Sequence, residues 1–368
     1  MKAGGQPLSR YLGGRNLRPQ AVHYRDDGTT AVFMNGYTVS IEPPLAWSTL
    51  CINNLFHSLA WQTFLQEAFG VHTVYAWNDH AQTGQAISIF RAGPFRIGYV
   101  GFPVGGAIQE QALTLDEVTG LQRVLRSHSV HLLKLPVSAF ARPVELPLPR
   151  AETVETAIEN LPSWRSGDLP SSVRRNIKKT NRYNVKVAEA CCLSQGNILY
   201  RLYRDTVTRH QGELRYNAPY FRGLIQLAKE DWRLRCLLAV HDENIIGFLV
   251  VALAGSTAYY LHGATDMTCQ HYRPADLLFH EAITWARDAG IQSFNMMASP
   301  RQQQSLIRYK EKWGCTSKPQ YTYDLVISPI HAQMFNLILN AHASVISWIS
   351  LSKKLTLNFP RLRKQSMK

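Results

Sequence analysis

The chain has 368 residues, of which 45% are hydrophobic and 18% are charged, and its formal net charge is +14. This composition is typical of a globular protein with a substantial core and excludes a wholly disordered chain. No apolar run reaches the roughly 18 residues that span a bilayer. Residues 1–20 also lack the apolar stretch of a secretory signal, so a cytoplasmic location is expected.

The excess positive charge is concentrated in two segments. Seven cations and one acid lie between Arg165 and Lys186, and six cations but no acid follow Leu325. Such clusters favour a polyanionic partner, which includes nucleotide phosphates, a tRNA or an anionic membrane surface. A basic face that serves only solubility is the alternative.

The cysteines show neither a metal-binding nor a disulfide pattern. None of the 6 cysteines forms a C-x-x-C pair, and no His/Cys spacing is typical of zinc. We therefore expect reduced thiols and no metal site. A cysteine nucleophile is a weaker hypothesis that thiol alkylation would test.

The N-terminal part of the chain predicts an α/β unit. Residues 1–18 are expected to form a flexible tail, and residues 19–145 an N-terminal domain. The elements predicted in this domain are a helix over 58–69, strands over 73–77, 85–90 and 95–100, a helix over 115–127 and a strand over 129–136.

A proline-rich stretch over 143–149 marks a boundary, and residues 146–328 repeat a similar element order. A helix begins at Pro170 or Ser171, and a second begins at Pro274, where proline suits the first helical position. The other elements predicted here are helices over 197–210, 219–229 and 302–313, and strands over 234–241, 245–253, 257–262, 292–296 and 320–326. The sequence thus predicts two tandem copies of one α/β unit.

The segment 329–368 joins an amphipathic apolar stretch to a basic end. A basic amphipathic helix is typical of a membrane-surface element. A terminal helix that packs back on the protein fits the same pattern, so both interpretations stay open.

Two charged residues lie on apolar helix faces. Glu281 lies four residues after Leu277 and four before Trp285, which predicts a buried carboxylate that serves as a general base or positions an amine. A buried ion pair is the alternative. Lys310 shares a helix face with Tyr309 and Trp313, and a buried ammonium there would stabilise an oxyanion. A surface lysine packed on Trp313 is the alternative.

The element order resembles the GNAT acyltransferase fold, and several motifs resemble the peptidoglycan-bridge-forming aminoacyltransferases of the Fem family and related N-acyltransferases. These motifs cover about residues 165–327 and include Pro170-x-x-x-Arg174-Arg175-Asn176-Ile177-Lys178-Lys179, Gly247-Phe248, Tyr260-x-His262-Gly263-Ala264, Leu277-Leu278-x-x-Glu281, Gly290-x-x-x-Phe294 and Tyr309-Lys310-x-x-Trp313-Gly314. In the N-terminal half the likeness rests on His57-x-x-x-Trp61 and Gly101-Phe102-Pro103. The resemblance implies an α/β fold of two tandem GNAT-like domains.

The resemblance also implies the roles of individual residues. Lys310 would contact the oxyanion or a phosphate, with Glu281 as the second catalytic residue. The residues implied at the substrate are Arg215, Tyr216, Tyr260, His262, Tyr309 and Trp313. The residues implied at the donor and its phosphates are Arg174, Arg175, Lys178, Lys179, Gln270 and Arg273.

Two positions depart from the resembled pattern. In GNAT proteins the turn before the helix at Pro274 has a glycine where Arg273 stands, and Pro274 has no N–H to offer to a pyrophosphate. Relatives usually carry an acid where this chain has Asn295. The first departure weakens the prediction of an acyl-CoA donor, and the second weakens the prediction of a general base at that position.

The sequence therefore predicts an N-acyltransferase that acts on an amine of a cell-envelope precursor, either free or lipid-linked, without a permanently bound cofactor. Its co-substrate would be acyl-CoA or aminoacyl-tRNA, and the net charge favours the tRNA. The rival from another class is a non-catalytic RNA- or membrane-binding protein on a decayed acyltransferase fold.

Overall fold

The structure, a computed structural model, describes residues 32–34, 37–78, 82–106, 121–122, 124–141, 145–210 and 212–338. Its strands form one mixed sheet with the order β1-β2-β3-β4-β5-β6-β13-β7-β12-β11-β10-β9-β8. The strands are β1 (Val32–Met34), β2 (Tyr37–Ser40), β3 (His72–Asn78), β4 (Thr83–Ala92), β5 (Phe95–Val100), β6 (Leu132–Val137), β7 (Arg150–Ile158), β8 (Lys186–Glu189), β9 (Leu234–His241), β10 (Asn244–Ala254), β11 (Thr257–Thr265), β12 (Ser293–Ser299) and β13 (Thr316–Val326).

The two halves of the sheet repeat one pattern. Strands β3, β4 and β5 are antiparallel, and β5 then pairs parallel with β6. Strands β9, β10 and β11 are likewise antiparallel, and β11 pairs parallel with β12. Each parallel contact is short, and the one in the second half joins only Thr257–Tyr259 to Ser293–Asn295. The strands of each parallel pair therefore separate soon after they meet.

Strands β7 and β13 join the two halves. β7 follows the N-terminal half along the chain but pairs with β12 of the C-terminal half. β13 ends the C-terminal half but pairs with β6 of the N-terminal half, and β7 and β13 also pair with each other. The sequence-based prediction missed β7, which supplies the centre of this junction.

Helices cover both faces of the sheet. The helices are α1 (Trp47–Leu50), α2 (Leu59–Phe69), α3 (Ser171–Arg182), α4 (Gln195–Arg209), α5 (Ala218–Glu230), α6 (Pro274–Asp288) and α7 (Gln304–Glu311). One core contains Phe64 of α2 and Phe221 of α5, so this core crosses between the halves. A second core contains Val173 of α3 together with Ile283 of α6 and Trp313. The predicted mixed α/β fold is confirmed.

Local sequence explains where several helices begin. The Ser58 side chain accepts a hydrogen bond from the Trp61 N–H, and the Asn217 side chain accepts one from the Tyr220 N–H. These two side chains therefore cap α2 and α5. Pro274 occupies the first position of α6, as predicted.

Some predicted elements lie partly or wholly outside the described residues. The tail over 1–18 and the segment 339–368 are outside them, as is the first part of the helix predicted over 115–127. Residues 121–122 and 124–127 are helical, and so are residues 329–338. None of the helices in the described ranges is both long and apolar enough to span a membrane.

Gly196 allows helices α4 and α5 to approach closely. A Cβ atom at Gly196 would lie 2.8 Å from the backbone N and Cα atoms of Arg222. Backbone atoms cannot move aside as a flexible side chain can, so we expect Gly196→Ala to lower the free energy of unfolding by about 1–3 kcal/mol. Urea denaturation would measure this loss. Gly167→Ala, where a Cβ would have no neighbour within 4 Å, is the matched control and should unfold close to wild type.

Candidate active site

The candidate site lies where β11 and β12 separate. The β10–β11 register shifts between Val250 and Val251, so that Val250 faces His262 and Val251 faces Tyr260. The extra residue in β11 is a bulge, which reverses the alternation of side chains along the strand. As a result Tyr260 packs with the second core, whereas His262 lies among aromatic rings on the other face. The predicted substrate residues Tyr260 and His262 are therefore not brought together.

On the His262 face, rings from both halves, all half-buried except the fully buried Tyr220, form what we call the aromatic cluster. His262 Nε2 lies 2.8 Å from the Tyr220 hydroxyl, and the rings of His262 and Tyr216 are 4.5 Å apart. Phe69 of the N-terminal half packs 5.3 Å from Tyr220. The members of the aromatic cluster are Phe69, Phe90, Tyr99, Phe102, Tyr203, Tyr216, Tyr220 and His262.

Burial favours the neutral forms of His262, Tyr216 and Tyr220. Desolvation lowers the pKa of His262 to about 3 and raises the pKa of Tyr216 to about 12. The pKa of Tyr220 lies well above its ordinary value for the same reason. The tyrosine hydroxyls are thus hydrogen-bond donors over the whole physiological range, and His262 is a poor general base.

Arg215, which the resemblance places at the acceptor groove, borders the aromatic cluster. Its backbone N–H donates to the Tyr203 hydroxyl at 3.1 Å. Its side chain is 75% exposed and pairs with Glu213 at 3.6 Å. Its charge also acts on Tyr216 and Tyr99. The structure therefore brings Arg215, Tyr216 and His262 to one place.

Lys310 is buried, and its ammonium group is fully occupied by the protein. Its Nζ donates to the Met296 carbonyl at 2.6 Å, to the Met297 carbonyl at 2.9 Å and to the Ser299 hydroxyl at 2.8 Å. An ammonium has three N–H groups, so none is left for an oxyanion. The structure corrects the predicted direct contact: Lys310 positions β12 rather than touching the reacting carbonyl.

The residues that Lys310 contacts form a bulge in β12. The β7–β12 register shifts between Asn295 and Ala298, and Met297 has a left-handed φ of 61°. The Asn295 Oδ1 accepts the Met297 N–H at 2.7 Å. Two side chains, Lys310 and Asn295, thereby satisfy backbone groups that the bulge removes from the sheet.

Glu155 of β7 completes this network, and the sequence-based prediction missed it. Glu155 is 3% exposed and accepts hydrogen bonds from Asn295 Nδ2 at 2.8 Å, the Ala139 N–H at 2.6 Å and Ser138 Oγ at 3.0 Å. Burial raises its pKa, and the hydrogen bonds oppose that rise. Residues 150–158 show no alternation of apolar and polar side chains, so the sequence offered little signal for a strand here.

The expected burial of Glu281 is wrong. Its side chain is 48% exposed and lies 3.8 Å from His280 Nδ1. Successive four-residue steps advance about 40° around a helix, so the step from Leu277 to Glu281 leaves the buried stripe of α6. A solvated carboxylate on the outer face does not fit the predicted base.

The buried acid of α6 is Asp276, which is 6% exposed in the first turn. It accepts a hydrogen bond from Asn176 Nδ2 at 3.0 Å and a long one from the Tyr309 hydroxyl at 3.4 Å. Burial raises its pKa, which the charges of Arg273 and Lys312 partly oppose. The start of α6, where GNAT proteins are expected to bind a pyrophosphate, thus already has a carboxylate beside it.

Tyr309 and Trp313 lie on the face opposite the aromatic cluster. Both rings pack against Phe279, at 5.9 Å and 5.7 Å. Trp313 is 0% exposed and its carbonyl accepts the Trp164 indole N–H at 3.0 Å. Trp313 therefore packs in the core instead of making the predicted contact with substrate.

The basic side chains of α3 remain available to a partner. Arg174, Arg175 and Lys178 are exposed, and none forms an ion pair with another described residue. Lys179 is half-buried over the Tyr183 ring, with 5.6 Å from Nζ to its centroid. Asn176 of the same helix reaches Asp276, so α3 lies beside the start of α6.

The two residues predicted in the turn before α6 are both exposed. Arg273 has φ 62°, the left-handed conformation that favours glycine. The backbone thus keeps the shape expected of the GNAT turn although the residue differs. Gln270 donates to the Met267 sulfur at 2.8 Å. Among the described residues no group of three or more His, Cys, Asp or Glu side chains could hold a metal.

The known proteins that resemble this chain agree with this architecture. Residues 171–311 match the family described as an acetyltransferase (GNAT) domain. The fold is similar to that of FemX, with a TM-score of 0.54 and 12% identity over 79% of this chain and 97% of that one. It is similar to L-PGS from Bacillus licheniformis, with a TM-score of 0.52 and 12% identity over 76% and 91% of the two chains. No curated protein matches the chain in sequence.

At these identities the similarity to solved structures concerns the fold. Residues 171–311 match the GNAT domain, and the described part of the chain has a Fem-like GNAT fold with one mixed sheet. The predicted resemblance is thus confirmed.

Substitution of Lys310 tests whether its buried ammonium stabilises the bulge in β12. Lys310→Met would leave the Met296 and Met297 carbonyls without their donor, and we expect a loss of about 2–4 kcal/mol in the free energy of unfolding at pH 7. Chemical denaturation would measure it. Lys312→Met, at an exposed position just after the same helix, is the control and should change little.

The comparison of wild type with Lys310→Met also gives a prediction for the pH dependence of stability. Burial lowers the pKa of Lys310 to about 8 from 10.5. Between these values the unfolded chain binds more protons, so wild type should gain stability over Lys310→Met as the pH rises from about 8 to 10.5. A difference that stays flat over this range would contradict the lowered pKa.

Proposed function

We propose that the protein is an N-acyltransferase that transfers an acyl or aminoacyl group to an amine of a cell-envelope precursor, either an amino sugar or a peptide. The observation that carries this proposal is the opening between β11 and β12 in the GNAT domain. Their pairing ends at Tyr259 and Asn295, and no other described strand pairs with that edge of β11. Backbone N–H groups on such an edge can stabilise the oxyanion of a tetrahedral intermediate.

The chemistry needs little more than positioning, because the donor is already activated. The amine nitrogen attacks the acyl carbon, and collapse of the intermediate expels the CoA thiolate or the tRNA hydroxyl oxygen. The amine proton passes to the leaving group or to a substrate phosphate. Tyr216, whose raised pKa keeps it protonated, can donate a hydrogen bond to the acceptor or the leaving group.

The aromatic cluster supports an acceptor site between the two halves. Its rings other than Tyr220 are half-buried, and the Arg215 side chain beside them is 75% exposed. Aromatic faces bind the apolar faces of sugars and peptides, and an exposed guanidinium pairs with carboxylates or phosphates. An envelope precursor carries both kinds of group.

A second candidate is aminoacyl-tRNA as the donor, and α3 favours it. Arg174, Arg175 and Lys178 are exposed without an acidic partner among the described residues. Asp276 beside the first turn of α6 disfavours a CoA pyrophosphate there, whereas Arg273 leaves such a donor feasible. In either case the donor is a co-substrate and not a resident cofactor.

Donor retention tests the proposal. Purified protein is incubated with radiolabelled aminoacyl-tRNA or acetyl-CoA and passed through a filter at two salt concentrations. We expect tRNA retention that falls steeply with salt, because each phosphate contact releases counterions. The triple change Arg174→Gln, Arg175→Gln and Lys178→Gln should reduce the slope of log K against log salt by about 2–3.

The matched control is Arg301→Gln, Arg308→Gln and Lys229→Gln, which removes the same charge from other exposed positions. This control should keep the wild-type slope. Retention of acetyl-CoA alone would establish the CoA-dependent reaction. If neither donor is retained or consumed, the acyltransferase proposal fails and the non-catalytic alternative replaces it.

We also propose peripheral membrane contact through the helical residues 329–338. One face packs on the protein, where Phe335 lies 5.5 Å from Phe95 and His331 stacks on His131 at 4.0 Å. The other face exposes apolar side chains at Ile330, Met334, Leu337 and Ile338. The sequence beyond Leu325 adds six cations and no acid, so an anionic lipid surface complements this face.

Co-sedimentation with vesicles tests the membrane proposal. Wild type should sediment with phosphatidylglycerol vesicles more than with phosphatidylcholine vesicles. Met334→Glu with Leu337→Glu should abolish most of this difference, since a carboxylate resists burial in lipid. Leu45→Glu with Ile52→Glu, at equally exposed apolar positions elsewhere, is the control. Sedimentation of the first variant at the wild-type level would refute the contact.

A further inference from the structure

We propose that a cleft in the N-terminal half binds the phosphate dianion of a small phosphorylated ligand. The cleft has a volume of about 440 Å³ and lies beside α2 at one end of β3, β4 and β5. Its polar lining includes Gln66, His72, Thr73, Arg91, Arg96 and His128. No aspartate or glutamate is among the described residues that line it.

The central observation is a pair of like charges. Arg91 of β4 and Arg96 of β5 are direct partners across the antiparallel ladder. Like charges directly opposite each other destabilise a sheet. Neither arginine forms an ion pair within the part of the chain that the structure describes. An anion between the two guanidinium groups would convert this repulsion into attraction.

The hydrogen bonds leave donors available to that anion. Arg96 Nη1 donates to the His128 carbonyl at 3.2 Å, which holds its guanidinium beside the cleft. Arg91 has no hydrogen bond to another described residue, so its whole planar fork is available. Planar guanidinium groups bind the oxygens of phosphate or carboxylate in a bidentate manner.

Charge favours phosphate over carboxylate. Two guanidinium groups carry two positive charges, which a phosphate dianion neutralises and a single carboxylate does not. Gln66, His72 and His128 add further hydrogen-bonding groups for the remaining oxygens. The volume exceeds what one phosphate needs and falls in the range of small-molecule sites, so the cleft has room for an organic part attached to the phosphate.

Inorganic phosphate is the probe for this site. Calorimetric titration of the full-length protein should show phosphate binding that acetate, at the same ionic strength, does not reproduce. Arg91→Gln and Arg96→Gln should each weaken phosphate binding about tenfold or more, because each removes a charge-assisted contact. Arg308→Gln, an exposed arginine on α7, should bind phosphate as wild type does.

Thermal unfolding separates this effect from misfolding. In phosphate-free, low-salt buffer Arg91→Gln should melt at or above the wild-type temperature, because it removes the repulsion. Phosphate should raise the melting temperature of wild type and Arg308→Gln but not of Arg91→Gln. Arg91→Lys, which keeps the charge, should retain part of the response. Equal responses of wild type and Arg91→Gln, or an equal response to acetate, would overturn the proposal.

Discussion

The three hydrogen bonds donated by Lys310 are the constraint on which the candidate site depends. A buried ammonium is unfavourable unless acceptors surround it, and the bulge in β12 presents two carbonyls and a hydroxyl to it. Lys310 thereby supplies hydrogen bonds to bulged backbone carbonyls that do not pair with β7. Because β12 is held in this shape, it separates from β11 after Asn295. The buried lysine thus stabilises the bulged strand that borders the opening.

The two halves are joined by β7 and β13, each of which pairs with a strand of the opposite half. The Glu155 network and the aromatic cluster therefore also depend on the tandem arrangement. β7 supplies Glu155 to the network around Asn295. The aromatic cluster likewise combines Phe69, Phe90, Tyr99 and Phe102 of the first half with Tyr216 and His262 of the second. A single GNAT unit would leave these rings exposed. The N-terminal half therefore completes the surface on which the acceptor would lie.

Most helices and strands could be predicted from local sequence patterns. The face of the strand or helix on which a given side chain lies could not. Strand 234–241 and strand 95–100 have their predicted limits, because apolar runs there end at clear turn residues. β7 was missed, since its Thr and Glu residues face neighbours that are distant in sequence. The β11 bulge reverses Tyr260 against His262, and only the pairing with β10 shows it. Glu281 was mispredicted for the same reason. Its position on the helix could be predicted, but whether that position lies inside or just outside the buried apolar stripe could not.

Asn295 shows how a departure from the resembled pattern can be compensated in space. The acid usually present at this position is absent, but Glu155 places a carboxylate against it from the neighbouring strand. Asn295 accepts the Met297 N–H with one side-chain atom and donates to Glu155 with the other. An aspartate could not donate in its ionised form and would set two carboxylates in contact. The asparagine is therefore the residue that the bulge and Glu155 together require, so its presence does not by itself indicate a decayed site.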